Sequence, residues 1–172
     1  MHSVPTIETE RLILRPYRRD DFAAYSTLFA DAEVTRFIGG VPFSREQAWT
    51  RFLRQVGMWQ YFGFGFFALQ DRETGQFIGE AGFHDLHRVI TPSLEGTMET
   101  GWALSPHSHG HGLATEAVRA VLGWGDQHFP AQKKTCIIDT ANLASLRVAS
   151  KLQFKETGRT TYHRAHVILL ER

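Results

Sequence analysis

METGWALSPHSHGHGLATEA, residues 98–117, is the stretch whose reading decides the fold. A strand-like run, 98–104, breaks at Pro106 and passes through Gly110-His111-Gly112 into an amphipathic helix marked by Leu113, Ala117, Val118, Val121, Leu122 and Trp124. A helix start leaves about four N–H groups without intrahelical partners and carries roughly half a positive charge. Glycine lets the main chain, rather than a side chain, approach an anion. The stretch therefore reads as a phosphate cradle. The plainer reading is a strand-to-helix connection that uses glycines for steric reasons only, and the flanking segments decide between the two.

Upstream, 64–69 and 77–83 are strand-like runs joined at Thr74-Gly75, a hairpin turn between antiparallel neighbours. The polar segment 86–97 holds Pro92 and Gly96 and reads as an exposed loop. Nearer the N-terminus, 11–15 forms a strand ended by Pro16. Asp20 and Asp21 are expected to cap a helix in which Phe22, Tyr25, Leu28 and Phe29 recur at helical spacing. After a turn at Gly39-Gly40, Ser44 and Gln47 have the form of a capping box. The helix they open shows one apolar face of Trp49, Phe52, Leu53, Val56 and Trp59, which is expected to be core. Downstream, Pro130 stops the central helix, 135–140 is a buried strand, 142–152 a helix, and 154–158 and 167–170 two closing strands. The predicted order is β-α-α-β-β-β-α-β-α-β-β. It describes one α/β domain over residues 1–172, with a mixed, mostly antiparallel sheet whose centre passes into a parallel βαβ crossover.

A chain of 172 residues buries enough surface for a core without staples. With 19 basic and 18 acidic residues the net charge is +1, so no global field draws it to nucleic acid or an anionic membrane. Cys136, the sole cysteine, lies in the apolar run Thr135-Cys136-Ile137-Ile138 and reads as a small buried hydrophobe rather than a nucleophile. The N-terminal segment lacks an apolar signal core and no window approaches the ~18 apolar residues of a membrane span. The expectation is a cytoplasmic protein.

Four motifs in order resemble the GNAT acyltransferase superfamily, and within it the branch of ribosomal-protein N-terminal acetyltransferases. These are Thr9-Glu10-Arg11-Leu12-Ile13-Leu14-Arg15-Pro16 followed by Asp20-Asp21-Phe22, then Glu99-Thr100-Gly101-Trp102, then Gly110-His111-Gly112-Leu113-Ala114-Thr115-Glu116-Ala117, and finally Asn142-Leu143-Ala144-Ser145 with Lys151-Leu152-Gln153-Phe154. The resemblance implies acetyl-CoA bound where the strands 98–104 and 135–140 splay apart. Splayed strands leave main-chain groups unpaired, here expected around Ala103 and Leu104, which can hydrogen-bond the pantetheine arm as a pseudo-strand. The pyrophosphate would reach N–H groups of His109, Gly110, His111, Gly112, Leu113 and Ala114, with the Thr115 hydroxyl nearby. Asn142 either hydrogen-bonds the pantetheine arm, caps the last helix, or does both. Dimers are common in the family, and the resemblance therefore implies a homodimer as a partner state.

The chain departs from the pattern at three places. His107 stands where the loop usually has Gln or Arg, Gln153 replaces a glycine at a tight turn, and Ala149 stands where many members carry a tyrosine that protonates the departing thiolate. The thiolate role then passes to Ser145. The implied reaction is direct transfer of an acetyl group to a primary amine, a protein N-terminus or a small amine. An ammonium group has no lone pair, so a base must first take a proton. Glu99 is the first choice, sharing a strand face with Gly101 and Ala103, and His84 is the second. Candidate walls of the acceptor pocket are 37–43, 86–97 and Tyr162 with His163; their few acids favour an acceptor of low charge.

Three other readings compete. A dinucleotide-binding fingerprint would put Asp139 on a ribose, but Thr115 occupies the place of the third glycine and an antiparallel meander precedes the loop. A metal site from His107, His109 and His111 with His84 and His87 lacks a completing ligand. Those loop histidines are read instead as flanking the cradle, where protonation of His109 or His111 would tighten cofactor binding as pH falls. A non-catalytic acyl-CoA sensor on the same scaffold would not need Glu99 and Ser145.

Overall fold

The computed structural model describes residues 3–172. Its strands are β1 (Ile7–Glu8), β2 (Leu12–Arg15), β3 (Phe66–Asp71), β4 (Phe77–His84), β5 (Met98–Leu104), β6 (Lys134–Asp139), β7 (Lys155–Tyr162) and β8 (Ala165–Glu171). They form one sheet in the order β1-β2-β3-β4-β5-β6-β8-β7, antiparallel throughout except where β5 meets β6. The helices are α1 (Phe22–Ala30), the single turn α2 (Ala32–Thr35), α3 (Arg45–Phe62), α4 (Leu113–His128) and α5 (Leu143–Lys151). No helix among the described residues is long and apolar enough to cross a membrane.

Side chains alternate across a strand, so the β4–β5 pairs His84↔Glu99, Gly82↔Gly101 and Glu80↔Ala103 share one face, and Ala81↔Trp102 and Phe83↔Thr100 the other. On the second face α4 lays Ala117, Val118, Val121 and Leu122 into a cluster with Leu12, Leu14, Phe83 and Leu104. The first face is covered by Tyr25, Phe29 and Phe52 of α1 and α3, which pack with Ala103. That face carries buried charge as well as apolar contact.

The capping box at α3 forms as read: Ser44 Oγ accepts the Gln47 N–H at 3.1 Å and the Gln47 carboxamide accepts the Ser44 N–H at 2.8 Å. Two local expectations need correction. Asp21 does not cap α1 with its side chain. Its carboxylate is buried, accepting two hydrogen bonds from Arg15 at 2.7 and 2.8 Å and the Arg18 N–H at 2.6 Å. On α3, Trp49, Leu53 and Val56 are 40%, 49% and 43% exposed. The helix is rotated so that Ala48, Phe52, Gln55 and Trp59 face inward, drawn by the Trp59 Nε1–H bond to the Phe66 carbonyl at 2.8 Å and by polar contacts of Arg51 and Gln55 with Glu80.

The closing hairpin is longer than its apolar residues suggest. β7 is KETGRTTY, an edge strand with almost no apolar alternation, and it turns through His163 and Arg164, both at positive φ. The turn after α5 persists without glycine, since Gln153 itself adopts φ +66°.

Candidate functional site

β5 and β6 pair only through Met98↔Lys134 and Glu99↔Thr135. Beyond Glu99 the two strands diverge. The Ser105 N–H donates to the Ile78 carbonyl at 2.8 Å, which fixes the antiparallel alternation along β5. The main-chain groups of Ala103 therefore point at β4. Those of Trp102 and Leu104 point into the opening. Ala103 thus leaves the set of expected cleft donors, and Trp102 enters it. The Leu104 carbonyl accepts a hydrogen bond from His109 Nε2 at 2.9 Å, so its free contribution to the cleft is its N–H.

Pro106–Ser108 forms a short 3-10 turn in which the His109 N–H donates to the Pro106 carbonyl at 3.1 Å. His109 is therefore not a cradle donor. Its ring is also spoken for, with Nδ1 3.6 Å from Glu33, which turns it from the role of a loop histidine poised over an anion. The six following N–H groups, of Gly110, His111, Gly112, Leu113, Ala114 and Thr115, have no acceptor among the described residues, and the first helical bond of α4 runs from the Glu116 N–H to the Gly112 carbonyl. Gly110 and Gly112 both sit at φ +79°, a left-handed conformation that side chains with a Cβ adopt at a cost. The two glycines fan consecutive N–H groups outward, and the start of α4 adds its dipole.

This loop is tied to the N-terminal strands. Arg11 donates from Nη1 to the His111 carbonyl at 2.8 Å and pairs with Glu116 at 2.7 Å, while Thr9 Oγ1 donates to the same carboxylate at 2.7 Å. The Glu116 carboxyl would be raised by burial, but these bonds hold it below the usual range. Thr9, Arg11 and Glu116, drawn from two motifs about a hundred residues apart, form one clamp on the cradle.

Across the cleft, Asn142 caps α5: its carboxamide oxygen accepts the Ser145 N–H at 3.1 Å. Its NH2 group has no acceptor among the described residues. Ser145 is half-buried one turn into the same helix. Cys136 is buried, and burial pushes its thiol far above the usual range, which suits packing and not nucleophilic chemistry.

At the vertex, Glu99 is 5% exposed. Arg88, from the loop between β4 and β5, grips it with two hydrogen bonds, Nε to Oε2 at 2.7 Å and Nη2 to Oε1 at 2.9 Å, and also donates to the Tyr162 hydroxyl at 3.1 Å. His84 Nε2 lies 2.8 Å from Glu99 Oε1, close enough for an ion pair but off the line a hydrogen bond needs, and Nδ1 is buried without a partner. Burial alone would raise the Glu99 carboxyl; His84 and Arg88 outweigh it and bring it to about 2. Burial lowers His84 below the usual histidine value against the pull of Glu99. A carboxylate so firmly paired is a poor proton acceptor, and a neutral imidazole beside it is a better one. Arg88 escaped the sequence reading because a lone arginine in an aperiodic loop carries no local signal of the carboxylate it meets.

Behind this pair, Glu80 is wholly buried and held by the Tyr17 hydroxyl at 2.6 Å and by Arg51. A shallow recess of about 450 Å3 between the loop and β7 is lined by Arg88, Thr91, Ser93, Thr160 and Thr161 among others. A larger hollow of about 840 Å3, lined by Ser150, Gln153 and Arg172, includes none of the residues of the cleft or the cradle.

Residues 11–155 match the model of the acetyltransferase (GNAT) domain family. The uncharacterized N-acetyltransferase YoaA of Bacillus subtilis (strain 168) is 30% identical over 155 residues that cover 90% of this chain and 85% of that protein. The solved structure of a GnaT-family acetyltransferase from Bordetella pertussis superimposes with a TM-score of 0.87 at 32% identity, covering 98% of this chain and 99% of the other. The fold is also that of a ribosomal L7/L12 N-terminal acetyltransferase, RimL, solved with coenzyme A (TM-score 0.79, 15% identity, 98% and 97% covered).

Proposed function

Because this chain belongs to the GNAT acetyltransferase family and is an acyltransferase, we propose that it moves the acetyl group of acetyl-CoA to a primary amine, a peptide N-terminus or a small molecule. The observation that carries the reading is the run of six free N–H groups, Gly110 to Thr115, beside the divergence of β5 and β6. Diphosphate suits the first feature and an amide-rich arm the second. Acetyl-CoA would be held by those N–H groups, by the main chain of Trp102 and Leu104, and by the carboxamide of Asn142; when bound it supplies an activated acetyl thioester.

The residues at the vertex then divide the proton work. His84, neutral at pH 7, takes a proton from the incoming ammonium group, directly or through a water, and so exposes the nitrogen lone pair. Glu99 steadies the imidazolium that results, and Arg88 keeps Glu99 ionised. Ser145 donates a hydrogen bond from its hydroxyl to the sulfur and steadies the charge that grows there as the C–S bond breaks; the second proton, shed by the nitrogen as the amide forms, neutralises that charge. The departure from Glu99 as sole base follows from its pairing with Arg88. Proton transfer by a positioned general base is worth roughly 10²–10⁴-fold in rate.

The test is acetyl-CoA-dependent thiol release over a panel of amines and peptides, with His84→Gln, Glu99→Gln and Ser145→Ala as variants and CoA binding measured beside it. The reading expects release with at least one amine, and loss of rate at unchanged CoA affinity in the first two variants. Full rate in all three would overturn the catalytic roles and leave the cofactor site standing; CoA binding without any release would favour a sensor.

A further inference from the structure

Resting on the transferase reading, we propose that the acceptor amine carries a carboxylate close to its nitrogen, and that the outer edge of Arg88 receives it. A guanidinium has five N–H hydrogens in a planar fork. Three are used, on Glu99 and Tyr162. One hydrogen on each terminal nitrogen has no acceptor among the described residues, so two donors are left for a second carboxylate while the Nε and Nη2 side keeps Glu99. The Arg88 side chain is 20% exposed and borders the recess between the loop and β7. Tyr162 steadies it from above, its ring 5.1 Å from the guanidinium carbon.

The surrounding charge points the same way. Glu80 is consumed by Tyr17 and Arg51, and Glu99 by Arg88 and His84. Glu95, at the rim of the recess, faces His87 at 3.7 Å. Arg54 is exposed and has no hydrogen bond or ion pair among the described residues. Its proton affinity is lowered first by the crowding around it and then by the charges of Arg51 and Arg88. Near Arg88 and His84 a polycation meets repulsion and finds no free carboxylate deep in the site. An amine with a neighbouring carboxylate meets a waiting fork, and its nitrogen is brought to the side where His84 and Glu99 stand. Two sources present this chemistry, a free α-amino acid and a peptide whose first residue is Asp or Glu.

The experiment compares matched pairs on the intact protein: amino acids against their amides, and tripeptides beginning with Asp against those beginning with Asn. Thiol release gives KM for each, and calorimetry gives the affinity of the same compounds for the CoA-loaded protein. The acid of a pair is expected to bind roughly ten- to a hundredfold tighter than its amide, the worth of a charge-assisted hydrogen bond. Arg88→Gln should bring that ratio near one; Arg54→Gln, at a side chain without hydrogen bond or ion pair among the described residues, should reduce it by a smaller factor. Preference for the amino-acid pairs or for the peptide pairs identifies the source. Equal binding of acids and amides, or an undiminished preference in Arg88→Gln, overturns the proposal. Failure of every amine to release thiol counts against the transferase reading instead, and the calorimetric ratio still decides whether Arg88 takes a carboxylate.

Discussion

Three glycines at the start and along α4 should respond to the same added methyl group in different ways. Gly112 sits at φ +79°, and a Cβ there would meet only the end of the Arg11 side chain, at 3.7 Å. Its cost is conformational. Holding an L-residue left-handed costs about 1–2 kcal/mol, and the lost freedom of the unfolded chain returns about 0.4–1 kcal/mol, so Gly112→Ala should destabilise by about 1 kcal/mol. Gly123 lies within α4 with nothing within 4 Å of an added Cβ, and Gly123→Ala should stabilise by about 1 kcal/mol through helix propensity. Gly125 shares the helix, but its Cβ would lie 2.7 Å from the Phe83 ring, so Gly125→Ala should cost about 1–3 kcal/mol by overpacking. A 1 kcal/mol change moves Tm by about 2–4 °C in a chain of this size. Thermal melts should therefore place Gly123→Ala about 4–8 °C above Gly112→Ala, with CoA affinity weakened only in the latter. Gly112→Ala melting at or above the parent, or binding CoA as tightly, would refute the assignment of the left-handed glycine to a backbone cradle.

The pH profile of kcat/KM separates the two groups at the vertex. His84 titrates below its ordinary 6.5 because of burial, so the rate should be level above pH 6.5 and fall below it, with the limb absent in His84→Gln. A profile flat to pH 4 would return the role to Glu99, whose carboxyl lies near 2. Stability should follow the same direction: both folded pKa values lie below the unfolded ones of 6.5 and 4.5, so the contributions are present above those values and are lost as pH falls, His84 first. Melts between pH 7 and pH 2 check this. Arg15→Met leaves the Asp21 carboxylate buried and unpaired, a loss of about 3–5 kcal/mol in urea unfolding, whereas the double change with Asp21→Leu should recover most of it. Additive losses in the double variant would sink that account.

The sequence displayed the centre of the fold because its signals are local. The break at Pro106, the two glycines and the apolar period of α4 lie within thirty residues, and each has a direct physical meaning. The capping box at Ser44 and the cap at Asn142 were legible for the same reason. Less legible was phase: α3 has apolar residues on more of its circumference than it buries, and which stripe turns inward is settled by Trp59 and by contacts to Glu80, 25 to 29 residues ahead. β1 is two residues long and α2 a single turn, too short for periodicity to register. At the site, the strand that carries Glu99 was legible, and the partners that hold its carboxylate were not. Arg88 and Tyr162 reach it from a loop and a hairpin 74 residues apart, and only the folded chain sets the basicity of a group so enclosed.

The central claim is that main-chain amides at the divergence of β5 and β6 hold coenzyme A. Backbone amide resonances followed during titration with CoA test it most directly, since they report on the donors themselves. The account predicts that Gly110, His111, Gly112, Leu113, Ala114 and Thr115 shift together with Trp102 and Leu104, while the engaged His109 and Ala103 amides move less. Saturable CoA binding that leaves Gly110 to Thr115 unmoved would contradict it.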